Sequence, residues 1–541
     1  MNNLNAWQNS TYTVYGVTVL FFVLSLWGIM HHELWLDEAH HYLLARDSAS
    51  VKDLFINTRY EGHPITWNLI LYWITRYTID PIWMQVLHIS IMTLTVGVFL
   101  KKAPFSLIFK LLFIFGYFMF YEYNILSRNY SLGMLFVFLA CSLYNKRDSK
   151  FIAIAVLLGL ASNSHAIFLI LAGSIMAMII VERLISDKKY TSITTWIGIF
   201  IFGILILISV LQILPPSDTS FFDQGKSTTF LQKMPKSISP FFKSIFLIPD
   251  VTTTSFWNTN LLVNLSKPIA GIFAIASLAI PYLLFYKNKK LVFYMYFGII
   301  ATGAFFYITA LNAARYYGIL YLFLITALWF DTYTTSSDTI YAFAKRSEAE
   351  VDTEHSRSTK AKKTILPFSE DVLKKLKPRL IYAILGLHFI VGIYAFAMDI
   401  RTPFTTAKQT AQYLKDNHNL EKIIATKACN GTALSAYMGK PVFFTKTSGY
   451  HSYCTFNRPS IQFEQDDHQL LKTIKLLIKK EATSIIFVTH EPFFDATENN
   501  TWVVPNKGLE IVFLEQFDGS IIKKGNHYIY EISSYESISK K

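Results

Sequence analysis

The chain has 541 residues, of which 52% are hydrophobic and only 16% charged. Soluble domains carry about a quarter charged residues, so this balance excludes an ordinary soluble enzyme. With 45 Phe and 31 Tyr it is neither disordered nor fibrous, and its net charge of +13 fits basic loops on the inner face of a membrane better than a nucleic-acid partner.

Apolar runs suited to a hydrocarbon core about 30 Å thick begin at 14–30 and recur at 82–100, 105–120, 131–144, 151–161, 166–181 and 193–213. Four more follow at 268–286, 291–310, 316–330 and 380–398. Together they predict about eleven transmembrane helices. The first reads as an uncleaved signal anchor, since it has no basic leading region and no small-residue cleavage site after it. Basic clusters stand in the turns at Lys101/Lys102, Lys146/Arg147/Lys150, Arg183/Lys188/Lys189 and Lys287/Lys289/Lys290. A cytoplasmic N-terminus puts all four on the cytoplasmic side, as the positive-inside rule requires.

The expected organisation is a membrane module over 1–330, a charged cytoplasmic linker over 331–379, a last span over 380–400 and an extracytoplasmic α/β domain over 401–541. The linker mixes acids and bases with Ser and Thr, and 370–377 reads as an amphipathic helix lying on the membrane. In the last domain, helices are expected at 405–417, 431–438 and 467–480. Strands are expected at 422–426, 441–445, 484–490, 509–517 and 526–532, giving a small three-layer α/β fold. Cys429 and Cys454 both fall there, and an oxidising exterior favours a disulfide between them over two buried thiols. No Cys/His spacing for structural zinc occurs.

Chemistry-bearing residues gather in the outer loops. The first carries Asp37, Glu38, His40, His41 and Arg46 beside Leu36, Leu43 and Leu44, which suit a helix along the interface. Asp37 and His41 share a helical face. Asp37 is a candidate N-cap for that helix or a catalytic acid, and it can be both. Further on, Arg59 and His63 stand beside Gly62 and Pro64, which mark a turn into an aromatic amphipathic helix. There they can meet an anion, or His63 can simply bond a carbonyl. Glu122, Arg128 and Tyr130 occupy the next outer turn, where Glu122 and Arg128 are also a candidate structural ion pair. His165 and Arg315 lie in two more. Acids converging with Arg and His at one membrane level suit a site that handles a phosphate and moves a proton.

An acidic pair after the first span, Gly62-His63-Pro64 opening a second interfacial helix, and Ser127-Arg128-Asn129-Tyr130-Ser131-Leu132 at the fourth span resemble the GT-C glycosyltransferases. Within that superfamily the chain is most similar to the glycosyltransferase family 39-like branch of protein O-mannosyltransferases and aminoarabinose transferases. The resemblance covers roughly 6–330. It implies a polytopic α-helical GT-C fold whose donor is a sugar on a polyprenyl phosphate within the bilayer. The acceptor would be a hydroxyl of a lipid, a glycan or a protein. Asp37, with Glu38 as the alternative, would be the base of an inverting transfer. His63, Arg59, Arg128 and Arg315 would contact the donor phosphate, and His40, His41, Glu122, Tyr130 and His165 would line the substrate. His63 stands where the aminoarabinose branch often has Lys, and Asn129 and Tyr130 stand where the mannosyltransferases often have an acid. No metal is expected to be obligatory, and Glu122 with Asp37 is the best pair for a divalent ion. The expected location is a bacterial inner membrane, with the site on the periplasmic or extracellular side. A transporter or flippase of a lipid-linked sugar and a non-catalytic membrane scaffold are the other readings. The 214–267 loop, with Asp223, Lys226 and Trp257, is either a cover for the site or a passive connector.

Overall fold

The computed structural model describes residues 11–185, 192–219, 229–311, 313–334, 370–417, 421–457, 466–481, 483–493, 501–505 and 507–535. Helices α1 Thr11–His31, α2 Leu36–Asp47, α3 Val51–Thr58, α4 Thr66–Ile74, α5 Ile82–Lys102 and α6 Leu107–Ile114 come first. A π-helical turn, Tyr117–Glu122, leads to α7 Tyr130–Leu143, α8 Phe151–Ser162, α9 Ala166–Ile185 and α10 Ile193–Ile213. Then come α11 Phe230–Ile245, α12 Leu261–Leu265, α13 Lys267–Ser277, α14 Ile280–Phe285, α15 Lys289–Thr309, α16 Ala314–Thr334 and α17 Glu370–Arg401.

Seven helical stretches among the described residues are long and apolar enough to cross a membrane: α1, α5, α9, α10, the α13–α14 pair, α15 and α17. The other four apolar runs form different objects. One is cut into α6 and the π turn, and two give the 14- and 12-residue helices α7 and α8. The fourth, α16, carries Arg315 and Asp331 near its ends and is buried along almost all its length. These elements meet protein on most sides, which relieves them of the length and composition that lipid demands.

Three basic turns come together at one end of the bundle. Glu182 accepts from Arg147 Nη2 at 2.6 Å and from Lys290 Nζ at 2.8 Å, and Arg183 donates to the Arg147 carbonyl at 2.8 Å. The α16 helix reaches that side with Asp331, paired to Lys377 at 2.7 Å, and starts at the opposite end with Arg315. Lys377 belongs to α17, which runs unbroken through Pro378. The separate membrane-surface helix expected over 370–377 is therefore the first part of a 32-residue helix, tied down by the Asp331 pair. Most of the expected linker, 335–369, lies outside the described residues. The 214–267 segment is more than a loop. Its α11 turns Phe241, Phe242 and Ile245 inward against the bundle, and Asp223 and Lys226 lie outside the described residues.

The last domain matches the expected alternation. Helices α18 Ala407–Asp416, α19 Thr432–Met438 and α20 Asp467–Glu481 flank strands β1 Ile423–Thr426, β2 Val442–Phe444, β3 Gly449–His451, β4 Ile485–Thr489, β5 Thr501–Val504, β6 Leu509–Phe517 and β7 His527–Ser534. The sheet order is β3-β2-β1-β4-β7-β6-β5, with β1 parallel to β2 and β4 and the other pairs antiparallel. Strand periodicity splits the core into two layers. Ile485 and Phe487 pack with Leu470 and Ile474 of α20. Ile486 and Val488 pack with Leu414 of α18 and Leu434 of α19. Short β3 and β5, three and four residues long, escaped the sequence reading. Cys429 and Cys454 form a disulfide, with Cα atoms 4.9 Å apart.

This domain sits on α2. Ala39, Leu43 and Leu44 share one buried cluster with Ala407, Ala433 and Ala436. A helix lying along the interface would turn Leu43 and Leu44 to lipid; instead both are buried in this cluster, which also holds Trp67 and Leu71 of α4. Leu34 N–H donates to the Tyr437 hydroxyl at 2.8 Å, and Lys408 N–H donates to Glu33 at 3.1 Å.

The α17 helix approaches the break after α6 closely at Gly392. A Cβ at Gly392 would lie 2.6 Å from the Phe115 carbonyl oxygen and 2.8 Å from Tyr117 N. Backbone cannot yield as a side-chain tip does, so Gly392→Ala is expected to destabilise by about 1–3 kcal/mol. Thermal unfolding of the detergent-purified protein checks this, with Gly386→Ala, where a Cβ meets open space, as the neutral comparison.

Candidate functional site

The site begins with the first turn of α2. Glu38 accepts the Trp35 N–H at 3.3 Å and so fixes where the helix starts. Trp35, not Asp37, occupies the N-cap position, so the capping role considered for Asp37 falls away. Its carboxylate instead meets two cations: Oδ2 is 2.5 Å from Arg128 Nη1 and 3.1 Å from Arg315 Nη2. Arg128 stands in the turn before α7 and Arg315 in the first turn of α16. The Arg315 guanidinium also lies over Trp35 at 4.9 Å and Tyr316 at 4.7 Å. Asp37 is the open member, with 21% of its side chain exposed against 3% for Arg128. Burial alone would raise the Asp37 carboxyl, but Arg128 and then Arg315 outweigh it and hold it below the ordinary aspartate value.

Glu38 has a different task. It is fully buried, accepting the Ser127 N–H at 2.6 Å and facing His32 Nε2 at 3.0 Å. His32 Nδ1 faces Asp399 at the end of α17 at 2.7 Å. Both Glu38 oxygens are thus committed to the frame that places Arg128 next to Asp37. Burial pulls the His32 imidazole down, but Asp399 and Glu38 together push it up to about 10.

The histidines form a buried wall. His40 pairs with Glu61 at 2.5 Å and meets Tyr453 and Phe456 of the outer domain at 5.5 and 5.3 Å between ring centroids. His41 Nδ1 is 2.7 Å from Asn68 Oδ1. His63 lies 4.2 Å from His165 and 5.9 Å from His41 between centroids, and His165 stacks on Tyr130 at 4.6 Å. Burial, followed by the Arg128 charge, lowers His63 to about 3, so its ring is neutral. Burial also holds His41 and His165 well below the usual histidine value. Gly62, at φ 67°, makes the turn that turns His63 inward. The helix after it starts at Thr66 rather than Pro64, and the Ile65 N–H already has a partner, Gln212, at 2.8 Å.

Two expected site residues stand aside. Arg59 follows α3 and donates to the Leu214 carbonyl at 3.2 Å, outside the contacts of Asp37. Glu122 accepts from the Tyr117 hydroxyl at 2.7 Å and Trp257 Nε1 at 3.0 Å, so the Glu122–Arg128 pair gives way to Arg128–Asp37. Trp257 also packs on Trp35 at 4.9 Å, which puts part of the 214–267 segment at the site. Among the described residues, no group of three or more His, Cys, Asp or Glu is arranged to hold a metal ion.

Sequence reading missed His32, Glu61, Asn68, Trp35 and Asp399. Asp399 carried a signal: an acid at the end of an apolar span is costly unless paired. No family model and no curated protein matches this chain.

Asp399→Ala leaves the buried His32 with Glu38 as its remaining acid and removes one hydrogen bond to a charged group, so it should destabilise by about 1.5–3 kcal/mol, read as a lowered thermal midpoint at pH 6. The sign with pH follows from the raised His32 value. Its contribution is complete below the unfolded value of 6.5 and is lost as pH climbs through about 10. The stability gap between wild type and Asp399→Ala should shrink over that window.

Proposed function

We propose that the chain is an integral membrane glycosyltransferase of the GT-C type, moving a sugar from a polyprenyl-phosphate donor to a hydroxyl acceptor on the outer face of a bacterial inner membrane. The observation that carries this reading is the partly exposed Asp37 carboxylate held by the Arg128 and Arg315 guanidiniums, at the opposite end of α16 from the basic turns. In this reading the chain crosses the membrane about eleven times, with those turns inside.

In the reaction, Asp37 accepts the proton of the acceptor hydroxyl as its oxygen attacks the anomeric carbon. The bond from that carbon to the lipid phosphate oxygen breaks, and the phosphate leaves with the electron pair. The anomeric centre inverts. Arg128 and Arg315 meet the charge that grows on the phosphate. The same pair sets the timing. With both guanidiniums on Asp37 the carboxylate is a poor base. A donor phosphate draws part of that positive charge away and raises the basicity of Asp37 when the donor is in place. Glu38 has no free oxygen for proton transfer, which favours Asp37.

General-base removal costs about 10²–10⁴-fold. Asp37→Asn should lower transfer by at least 10²-fold, with retained binding of polyprenyl phosphate as the sign that the fold persists. Release of polyprenyl phosphate from a donor analogue, followed by mass spectrometry, measures it. Normal turnover by Asp37→Asn would remove the proposed base. Net transport of intact donor in sealed vesicles, with no bond cleavage, would replace the enzyme with a flippase.

A further inference from the structure

Beside the charged trio, four buried residues present polar atoms with no partner: His63 Nδ1, His165 Nε2, the Tyr130 hydroxyl and both polar atoms of the Asn129 amide. Tyr130, Asn129 and His165 are at most 1% exposed and His63 is 8% exposed. His63, His165 and Tyr130 are contiguous: His63 packs on His165, His165 stacks on Tyr130, and the Arg128 guanidinium stands 5.9 Å from the Tyr130 ring. Asn129 directly precedes Tyr130 in the chain. Native interiors rarely leave buried polar atoms unmatched, and such groups are costly unless a ligand takes them up. The set mixes donors and acceptors. His165 Nδ1 accepts the Ile167 N–H at 3.1 Å, which leaves Nε2 as the donor. A phenol and an amide can each donate and accept. A sugar hydroxyl has the same dual character.

Arg128 and Arg315 share the Asp37 carboxylate. Among the neighbouring acids, Glu38 is held by His32 and Ser127 and Glu61 by His40, while Glu122 takes Tyr117 and Trp257 on Oε2 and leaves its buried Oε1 without a partner. An ammonium group can donate but not accept, so it would leave the His165 Nε2 donor of the wall unpaired.

Resting on the glycosyltransferase reading, we propose that Asn129, Tyr130, His63 and His165 recognise the hydroxyls of an uncharged donor sugar, and that the site rejects an amino sugar. The arginines hold the phosphate, and this wall supplies the specificity. A site built to bond hydroxyls discriminates strongly, because a mismatched sugar leaves its buried groups unpaired.

Three short-chain probes separate the roles in the full-length protein: polyprenyl phosphate alone, polyprenyl-phosphate hexose and a polyprenyl-phosphate amino-deoxypentose. Binding is read by fluorescence of the tryptophans near Arg315. The hexose donor should bind at least tenfold tighter than polyprenyl phosphate, and the amino sugar donor no tighter. Tyr130→Phe and Asn129→Ala should erase the hexose advantage while leaving affinity for polyprenyl phosphate within about twofold. A hexose donor that binds no better than the lipid phosphate overturns the proposal. So does an amino sugar donor that binds tighter than the hexose donor, or a wall substitution that weakens polyprenyl phosphate itself. All three results leave the glycosyltransferase reading standing. If polyprenyl phosphate fails to bind wild type, or binds Arg128→Ala and Arg315→Ala equally well, that reading falls and this one with it.

Discussion

One carboxylate between two guanidiniums organises one end of the helical bundle. Asp37, Arg128 and Arg315 come from three elements far apart in sequence, and a shared electrostatic minimum brings them within hydrogen-bond distance. Where water is scarce, such a cluster is worth little unless its geometry is held, because desolvation offsets much of the attraction. Much of the surrounding structure holds it. Glu38 fixes the start of α2 and the Ser127 backbone, His32 links Glu38 to α17 through Asp399, and Trp35 lies under Arg315. Of the neighbouring acids, Asp37 stays partly exposed while Glu38 is committed to the frame.

The C-terminal domain completes this frame. It buries one side of α2 with small residues, Ala407, Ala433 and Ala436, which let the helices approach closely. It also bonds the loop before α2 at Glu33 and Leu34 and contacts His40 through Tyr453 and Phe456. The Cys429–Cys454 bond ties the segment holding those aromatics to the start of α19, the helix that rests on α2.

The sequence carried the coarse plan well, because lipid and strand periodicity each leave a repeating mark. The long apolar runs mark α1, α5, α9, α10, α15 and α17, and alternation in β4, β6 and β7 marks the sheet. Asp37, Arg128 and Arg315 were legible for another reason: ionisable groups at the mouth of an apolar bundle are expensive and therefore few. What stayed hidden depends on contacts that no local pattern encodes. Leu43 and Leu44 have the composition of a lipid-facing stripe, and the packing of α4 and of the C-terminal domain around α2 makes them core. The committed state of Glu38 depends on Ser127 and Asp399, 89 and 361 positions away. Likewise α17 reads as a span plus a surface helix until Lys377 finds Asp331.

Two guanidiniums sharing the Asp37 carboxylate are a physical constraint of their own, because such desolvated cations are sustained more readily when a further anion shares them. Burial, aided by the Arg128 charge, keeps His63 and His165 neutral. An anionic ligand therefore suits the arginines, and a neutral, hydrogen-bonding one suits the wall. A single molecule that joins a phosphate to an uncharged polyol satisfies both at once.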